Sequence, residues 1–396
     1  SSRNLDLFLC GEEAVKTLLA RNSAGSDLSL IEGVMGFYDG LGGCSTALSS
    51  YDLSQKTATP VVLLVSATGI SMSIAAVIKG YKEFLPNRLA GVILNHCSRE
   101  LYPALKGVIE RAPGIKALGF MPKLKEEVFK SRHLGLVTAA EVERLNEKLD
   151  RLAGLAEAHI DLDGIVSLAK KAPPLEYGEA GIKKGEEVRI AVAKDKAFCF
   201  YYEDSLQLLR DMGAVLVPFS PLSDSSLPDA ISGLLLGGGY PELYAKELSG
   251  NGRMISSIRA ALKSGLPAYA ECGGFIYLGD SLSVGGATHK MAGIFDSRSK
   301  MTERLQNFGY ISLRSKNSNI LTERGGRING HEFHYSSADD CGSDFTATKP
   351  SNGKKRGCII ARGNICGGYP HLHFWGNMDF ASRFLGLCRR YREPVS

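Results

Sequence analysis

Residues 266–278 read LPAYAECGGFIYL. A short apolar run ends at Glu271, a cysteine follows at once, then two glycines, then a second apolar stretch of helical character. This is the pattern of a strand turning sharply into a helix, a nucleophile elbow that lifts one side chain above the edge of a sheet. Cys272 is the candidate nucleophile. Small residues after it admit a substrate, a helix N-terminus favours a thiolate, and the Gly273 N–H is placed to hold an oxyanion. One strand–helix unit earlier, residues 234–242 read LLLGGGYPE. Glycines at a strand end permit positive φ and leave N–H groups free, so Gly238 and Gly239 are candidate donors for the other half of an oxyanion hole.

A thiol nucleophile needs a base. His371 and His373 in GYPHLHF (368–374) stand just before another helix, and His331 and His334 in GHEFHYS (330–336) compete with them. On a strand the HLH spacing puts both rings on one face, which would also suit a metal pair, but no third ligand is evident.

Outward from the elbow, buried strands alternate with helices. PVVLLVS (60–66) and LAGVILN (89–95) are continuous apolar runs, each followed by an amphipathic helix, at 73–84 and 101–111, and 115–121 is a third strand. Continuous rather than alternating apolar strands indicate a parallel sheet covered on both faces. Helices are expected over 139–158 and 162–172. Residues 172–187 (APPLEYGEAGIKKGEE) are rich in Pro, Gly and charge without apolar periodicity, the signature of a linker. The alternation restarts at 188–193. The expected organisation is α/β, with domains at 1–172 and 188–396 joined by 173–187. Beyond about residue 285, short strands such as 309–313 and 357–361 read as antiparallel additions, and 349–356 (KPSNGKKR) as an exposed loop.

Composition bounds the function classes. The 396 residues suit two or three domains, and 44% hydrophobic with 22% charged residues is the make-up of a globular protein. Apolar runs fall far short of the ~20 residues of a membrane span. Lys+Arg 47 against Asp+Glu 42 gives a net charge of +5, too mild to indicate a nucleic-acid partner. The nine cysteines are odd in number, widely spaced and without a CxxC pair, so a reduced, cytoplasmic enzyme is expected, with no disulfide framework or zinc site.

LLLGGGYPE, AECGGFIYL and the late histidines resemble the class I (triad) glutamine amidotransferase domains. More narrowly, SSRNLDLF (1–8), IEGVMGFYDG (31–40), SRHLGL (131–136), IAVAKDKAFCFYY (190–202), GHEFHYS and HLHF resemble, in order and along essentially the whole chain, the cobyrinic acid a,c-diamide synthase family. The resemblance implies two doubly wound domains, an N-terminal P-loop (dethiobiotin-synthetase-like) domain and a C-terminal glutamine amidotransferase domain. It implies an ATP- and Mg2+-dependent ligase that takes ammonia from L-glutamine and amidates peripheral carboxylates of cobyrinate, a tetrapyrrole, through an acyl phosphate. A homo-oligomer is compatible with it. By the same resemblance Glu32, following a strand end at 29–32, is expected to hold magnesium, Asp39 to bind substrate or metal, and Asn95 to contact the adenine. Tyr369-Pro370-His371 fits the spacing before the base in related amidotransferases, which favours His371 over His373.

Two departures stand out. No G-x-x-x-x-G-K-[ST] phosphate loop occurs in the chain, so an N-terminal segment carrying it is expected to be missing. Ser66 also stands where the family usually has an acidic residue. Nickel sirohydrochlorin as substrate, or a tetrapyrrole-binding scaffold without catalysis, are the alternatives.

Overall fold

Continuous apolar runs in the parallel strands decide the architecture of the computed structural model, which describes residues 2–124 and 142–391. Two compact units result, Ser23–Glu176 and a second formed by Ser1–Asn22 together with Tyr177–Ser396.

In the first unit, strands β1 (Val61–Ser66), β2 (Leu89–Asn95) and β3 (Lys116–Met121) pair in parallel in that order. Helices Ser73–Glu83 and Tyr102–Arg111 bury Ile74, Ile78, Leu105 and Ile109 against Val92, Leu94 and Ala117. Helices Leu145–His159 and Leu162–Lys170 follow, the second capped by Asp161, whose side chain accepts from the Gly164 N–H and pairs with Lys116 at 2.7 Å. The SRHLGL segment lies outside the described residues. The strand expected at 29–32 is corrected to irregular chain. Leu30 there is 88% exposed, so there is no apolar face for a strand to bury.

The second unit is built on a sheet whose parallel strands β4 (Val188–Ala193), β5 (Ala214–Phe219), β6 (Gly233–Leu236) and β7 (Ala268–Glu271) are joined by the hairpin of Ile360–Arg362 and Ile365–Gly368. Strand period two divides its side chains between two apolar clusters. Val188, Ile190, Val192, Leu235 and Tyr269 face Leu208, Leu209, Phe380 and Phe384 of helices Glu203–Asp211 and Met378–Arg390. Ala191, Ala193, Leu234, Leu236 and Ala270 face Met254, Ile258 and Leu262 of helix Gly252–Lys263 and Phe275 of helix Gly273–Leu278. This sheet is covered on both faces, whereas in the first unit, from whose apolar runs that cover was expected, Leu64 of β1 is 65% exposed. Antiparallel strands are added as anticipated. Asn307–Ser315 pairs with Phe345–Thr348 and Arg327–His334, and the latter pairs with His371–Leu372.

The domain boundaries read from the sequence need one correction. Residues 1–22, assigned there to the first domain, pack on the second unit. Asp6 caps the short helix Leu7–Cys10 and also accepts from Tyr310 Oη at 2.7 Å, Phe8 stacks on Tyr310 at 4.5 Å, and Leu18 of helix Glu12–Ser23 joins the Phe380 cluster. An amphipathic helix buries its apolar face wherever a complementary core lies, irrespective of sequence distance. The division falls at Glu176/Tyr177, inside the stretch read as a linker, and residues from Tyr177 onward belong to the second unit, where Ala180 and Ile182 pack on the Phe380 cluster.

Candidate active site

At the end of β7 the backbone leaves the sheet through Cys272, which has φ 46° and ψ −99°, and enters helix Gly273–Leu278. A non-glycine residue at such a φ costs about 1–3 kcal/mol and persists where the surroundings over-determine it. Here the Cys272 N–H donates to the Gly368 carbonyl at 2.7 Å, and the Gly274 N–H donates to that of Gly237 at 2.9 Å. The sulfur side chain is only 8% exposed.

The glycine loop after β6 sits directly against this turn. A Cβ on Gly273 would lie 3.1 Å from the Gly239 nitrogen, and one on Gly238 would lie 2.5 Å from Cε1 of His371. Side chains are therefore excluded where the loop, the nucleophile turn and the imidazole meet. Tyr201 fixes the loop, since its hydroxyl accepts from the Gly237 N–H at 2.9 Å and donates to the Ala193 carbonyl.

His371 lies on the short strand His371–Leu372, in register opposite His331, and is brought across 99 residues of sequence to Cys272. Its Nδ1 is 3.6 Å from Oε2 of Glu271. Burial acts to lower its pKa, but Cys272 and Glu271 beside it outweigh burial and push it up to about 10. His373 behaves differently. It is fully buried, its ring lies 4.7 Å from Tyr202, and neither ring nitrogen has a hydrogen-bond partner among the described residues. Burial pulls its pKa down to about 4. The two histidines do not act as one face, because the strand ends at Leu372 and the chain turns into a helical turn at Phe374–Gly376.

Of the competing histidines, His331 has its ring 5.8 Å from that of His371, and burial followed by the charge of His371 takes its pKa to about 4. His334 is structural, stacked on Tyr369 at 3.9 Å with Nδ1 donating to the Ser336 carbonyl at 2.7 Å. The residue that sequence reading passed over is Glu271, quoted only as the end of a strand. Its buried carboxylate accepts through Oε1 from Tyr269 Oη at 2.7 Å and from the Leu372 N–H at 3.0 Å. Period two along β7 puts Tyr269 and Glu271 on one face, which was the available signal.

The structure thus brings Cys272, His371, Gly238, Gly239 and Gly273 together. In the other unit, Glu32 and Asp39 lie on an exposed loop, and Asn95 ends β2 with its Oδ1 accepting from the His96 N–H at 3.0 Å. Among the described residues no three His, Cys, Asp or Glu side chains gather as a metal cage, and no helix is long and apolar enough to cross a membrane.

Residues 189–378 match the CobB/CobQ-like glutamine amidotransferase domain family. The chain is 40% identical over 395 residues to the cobyrinate a,c-diamide synthase of Caldanaerobacter subterraneus subsp. tengcongensis, covering 98% of this chain and 87% of that protein. It is 39% identical to the cobyrinate a,c-diamide synthase of Listeria innocua serovar 6a (98% and 88% covered) and 40% identical to that of Clostridium tetani (97% and 87%). A solved structure of PurLQS from Thermotoga maritima is similar to part of the chain, at 18% identity, a TM-score of 0.38 and coverage of 52% of this chain and 100% of that one. By identity sustained along almost its entire length, the chain belongs to the cobyrinate a,c-diamide synthase family.

Proposed function

We propose that this chain hydrolyses L-glutamine at Cys272 and uses the ammonia to amidate the a- and c-side-chain carboxylates of cobyrinate in an ATP-dependent ligation. The observation that carries the glutaminase half is the juxtaposition of a strained Cys272 with a buried, charge-stabilised His371. The relatives' shared name supports the ligase half.

In the glutaminase step the Cys272 thiolate attacks the side-chain carbonyl carbon of glutamine. The N–H groups of Gly273 and of the Gly238–Gly239 turn receive the negative charge that develops on oxygen. As the C–N bond breaks, the His371 imidazolium gives its proton to the departing nitrogen, leaving ammonia, a thioester and a neutral imidazole. That imidazole takes a proton from water, whose oxygen attacks the thioester, releasing glutamate and restoring the thiolate–imidazolium pair. His373, uncharged and turned to Tyr202, has no part in this cycle.

In the family, ATP activates a carboxylate whose oxygen is otherwise a poor leaving group. Among the described residues, Glu32, Asp39 and Asn95 do not by themselves build its site. Glu32 and Asp39 are single exposed carboxylates, and the 396 residues contain no G-x-x-x-x-G-K-[ST] loop. The roles of Glu32 with magnesium, Asp39 with substrate or metal and Asn95 with adenine rest on the family resemblance. Cytoplasmic location is proposed on the cysteine usage.

Glutamate release from glutamine tests the reading. Cys272→Ser should abolish it while leaving the circular dichroism spectrum intact, since side-chain volume barely changes. Hydrolysis by the serine variant at the parental rate would overturn it. Mass spectrometry of cobyrinate incubated with ATP, Mg2+ and glutamine reads the amidation directly.

A further inference from the structure

A general base on a catalytic cysteine is usually held in place by a third group. The strand neighbour two residues beyond His371, the position from which a side chain would share its face, is His373. That ring is packed on Tyr202 and makes no hydrogen bond among the described residues, so it cannot orient His371. A different residue stands at Nδ1.

We propose that Glu271, the residue immediately before the nucleophile, is the positioning residue of the glutaminase site, holding His371 through Nδ1 so that Nε2 serves the sulfur of Cys272 and the departing nitrogen of glutamine. The inference rests on the glutaminase reading above and deepens it. Three observations carry it. Glu271 Oε2 lies 3.6 Å from His371 Nδ1, ion-pair distance in the free protein and of the kind that tightens when substrate binds. The other oxygen is fixed by two donors, Tyr269 Oη from the same strand and the Leu372 N–H from the strand that carries His371. The second of these ties the carboxylate to the residue next to the base, so the two strands cannot shift apart without breaking it.

The third is charge. A buried carboxylate needs a countercharge, and among the described residues the ion pair to His371 is the one Glu271 makes. Arg356, the nearby cation on an antiparallel strand, is committed to Glu332. The titratable groups facing His371 are therefore Glu271 and Cys272 from β7 and its turn, with His331 and the more distant His334 from the strand opposite. Both of these histidines are held toward the neutral form by burial, leaving Glu271 and Cys272 to decide the charge of His371.

Placing the acid beside the nucleophile rather than beside the base has a chemical consequence. One rigid strand end then sets both the sulfur and the orienting carboxylate, and only the imidazole is delivered from elsewhere in the chain.

Glu271→Gln tests this. The amide keeps the volume and an oxygen to accept from Tyr269 and Leu372, and loses only the charge toward Nδ1. A structural role would leave catalysis near normal. The positioning role predicts a kcat for glutamine hydrolysis lower by about 100-fold or more, with KM changed by no more than about threefold. It also predicts that the alkaline limb of the pH profile moves toward neutrality, because the imidazolium loses its carboxylate. Parental turnover with an unmoved alkaline limb would overturn the inference. If Glu271→Gln does not fold, 15N-histidine spectra of Cys272→Ala decide, since Glu271 is then the remaining anion at His371. The neutral ring should carry its proton on Nδ1, toward Glu271, and a ring protonated on Nε2 instead would overturn the inference. Cys272→Ser separates the two levels of argument. If it still hydrolyses glutamine, the glutaminase reading falls. If it is inactive while Glu271→Gln is normal, only the role of Glu271 falls.

Discussion

His371 and His373 are two residues apart and chemically opposite. Both are buried, but one faces Cys272 and Glu271 and the other faces no acidic group, so the same burial yields a charged ring in the first case and a neutral ring in the second. His371→Asn should reduce glutamine turnover by about 100-fold or more, the scale of a lost general acid–base, whereas His373→Asn should leave kcat close to parental. Steady-state glutamate release from each variant checks this. Stability carries its own signature. The folded-state pKa of His373 is depressed below the unfolded value, so neutrality stabilises the fold above about pH 6.5, and that stability is lost as the pH falls through about 4. His331, also taken down to about 4 by burial and then by the charge of His371, adds a contribution of the same sign. Urea titrations between pH 7 and pH 4 should show unfolding free energy falling by about 3 kcal/mol on account of His373, and the fall should shrink in His373→Leu. His371 works the other way. Its raised pKa stabilises the fold below pH 6.5, and the contribution disappears as the pH climbs through about 10.

At the scale of elements, the site depends on two turns pressed together. The Gly237–Gly239 loop has no room for a side chain at Gly238, where a Cβ would come within 2.5 Å of the His371 ring. Gly238→Ala should therefore displace the imidazole with little loss of fold stability, and a displacement near 1 Å costs on the order of 100-fold in rate. A parental kcat in this variant would show that the loop does not set the position of the base. The glycine-rich loop was readable in the sequence, because a Gly-Gly-Gly run after an apolar strand has few other uses. What it was pressed against was not, since Gly238 and His371 are separated by more than a hundred residues of intervening chain. The expected strand at 29–32 failed for the complementary reason. An apolar residue such as Leu30 signals a strand only if some surface receives it.

Across the whole molecule, residues 1–22 belong with 177–396, so one unit is discontinuous in sequence. The exposed stretch 172–176 is the expected first site of limited proteolysis. The cut should not extend through 180–187, because Ala180 and Ile182 pack on the Phe380 cluster and the Gly185 N–H donates to the Met212 carbonyl at 3.0 Å. After a second cut in the exposed chain around 24–30, the peptide containing residues 1–22 should co-elute with the 177–391 fragment on size exclusion, held by Leu18 and by the Asp6–Tyr310 hydrogen bond. Elution of that peptide as a free species would contradict the discontinuous unit.

Local pattern was enough for the α/β class, the strand-to-helix turn at Cys272 and the glycine loop before it, because each is written in consecutive residues whose propensities and periodicities agree. The family, too, was legible in ordered motifs spread along the chain. The preference for His371 over His373 came from the family spacing, but the physical difference between the two rings, the place of Glu271 and that of residues 1–22 required the tertiary structure. Each depends on which distant surface a side chain meets, and on how burial and neighbouring charge compete at that one place. Periodicity carries a residue to a face, but the opposing face is supplied by chain far away in sequence, and it is the opposing face that sets charge, partner and role.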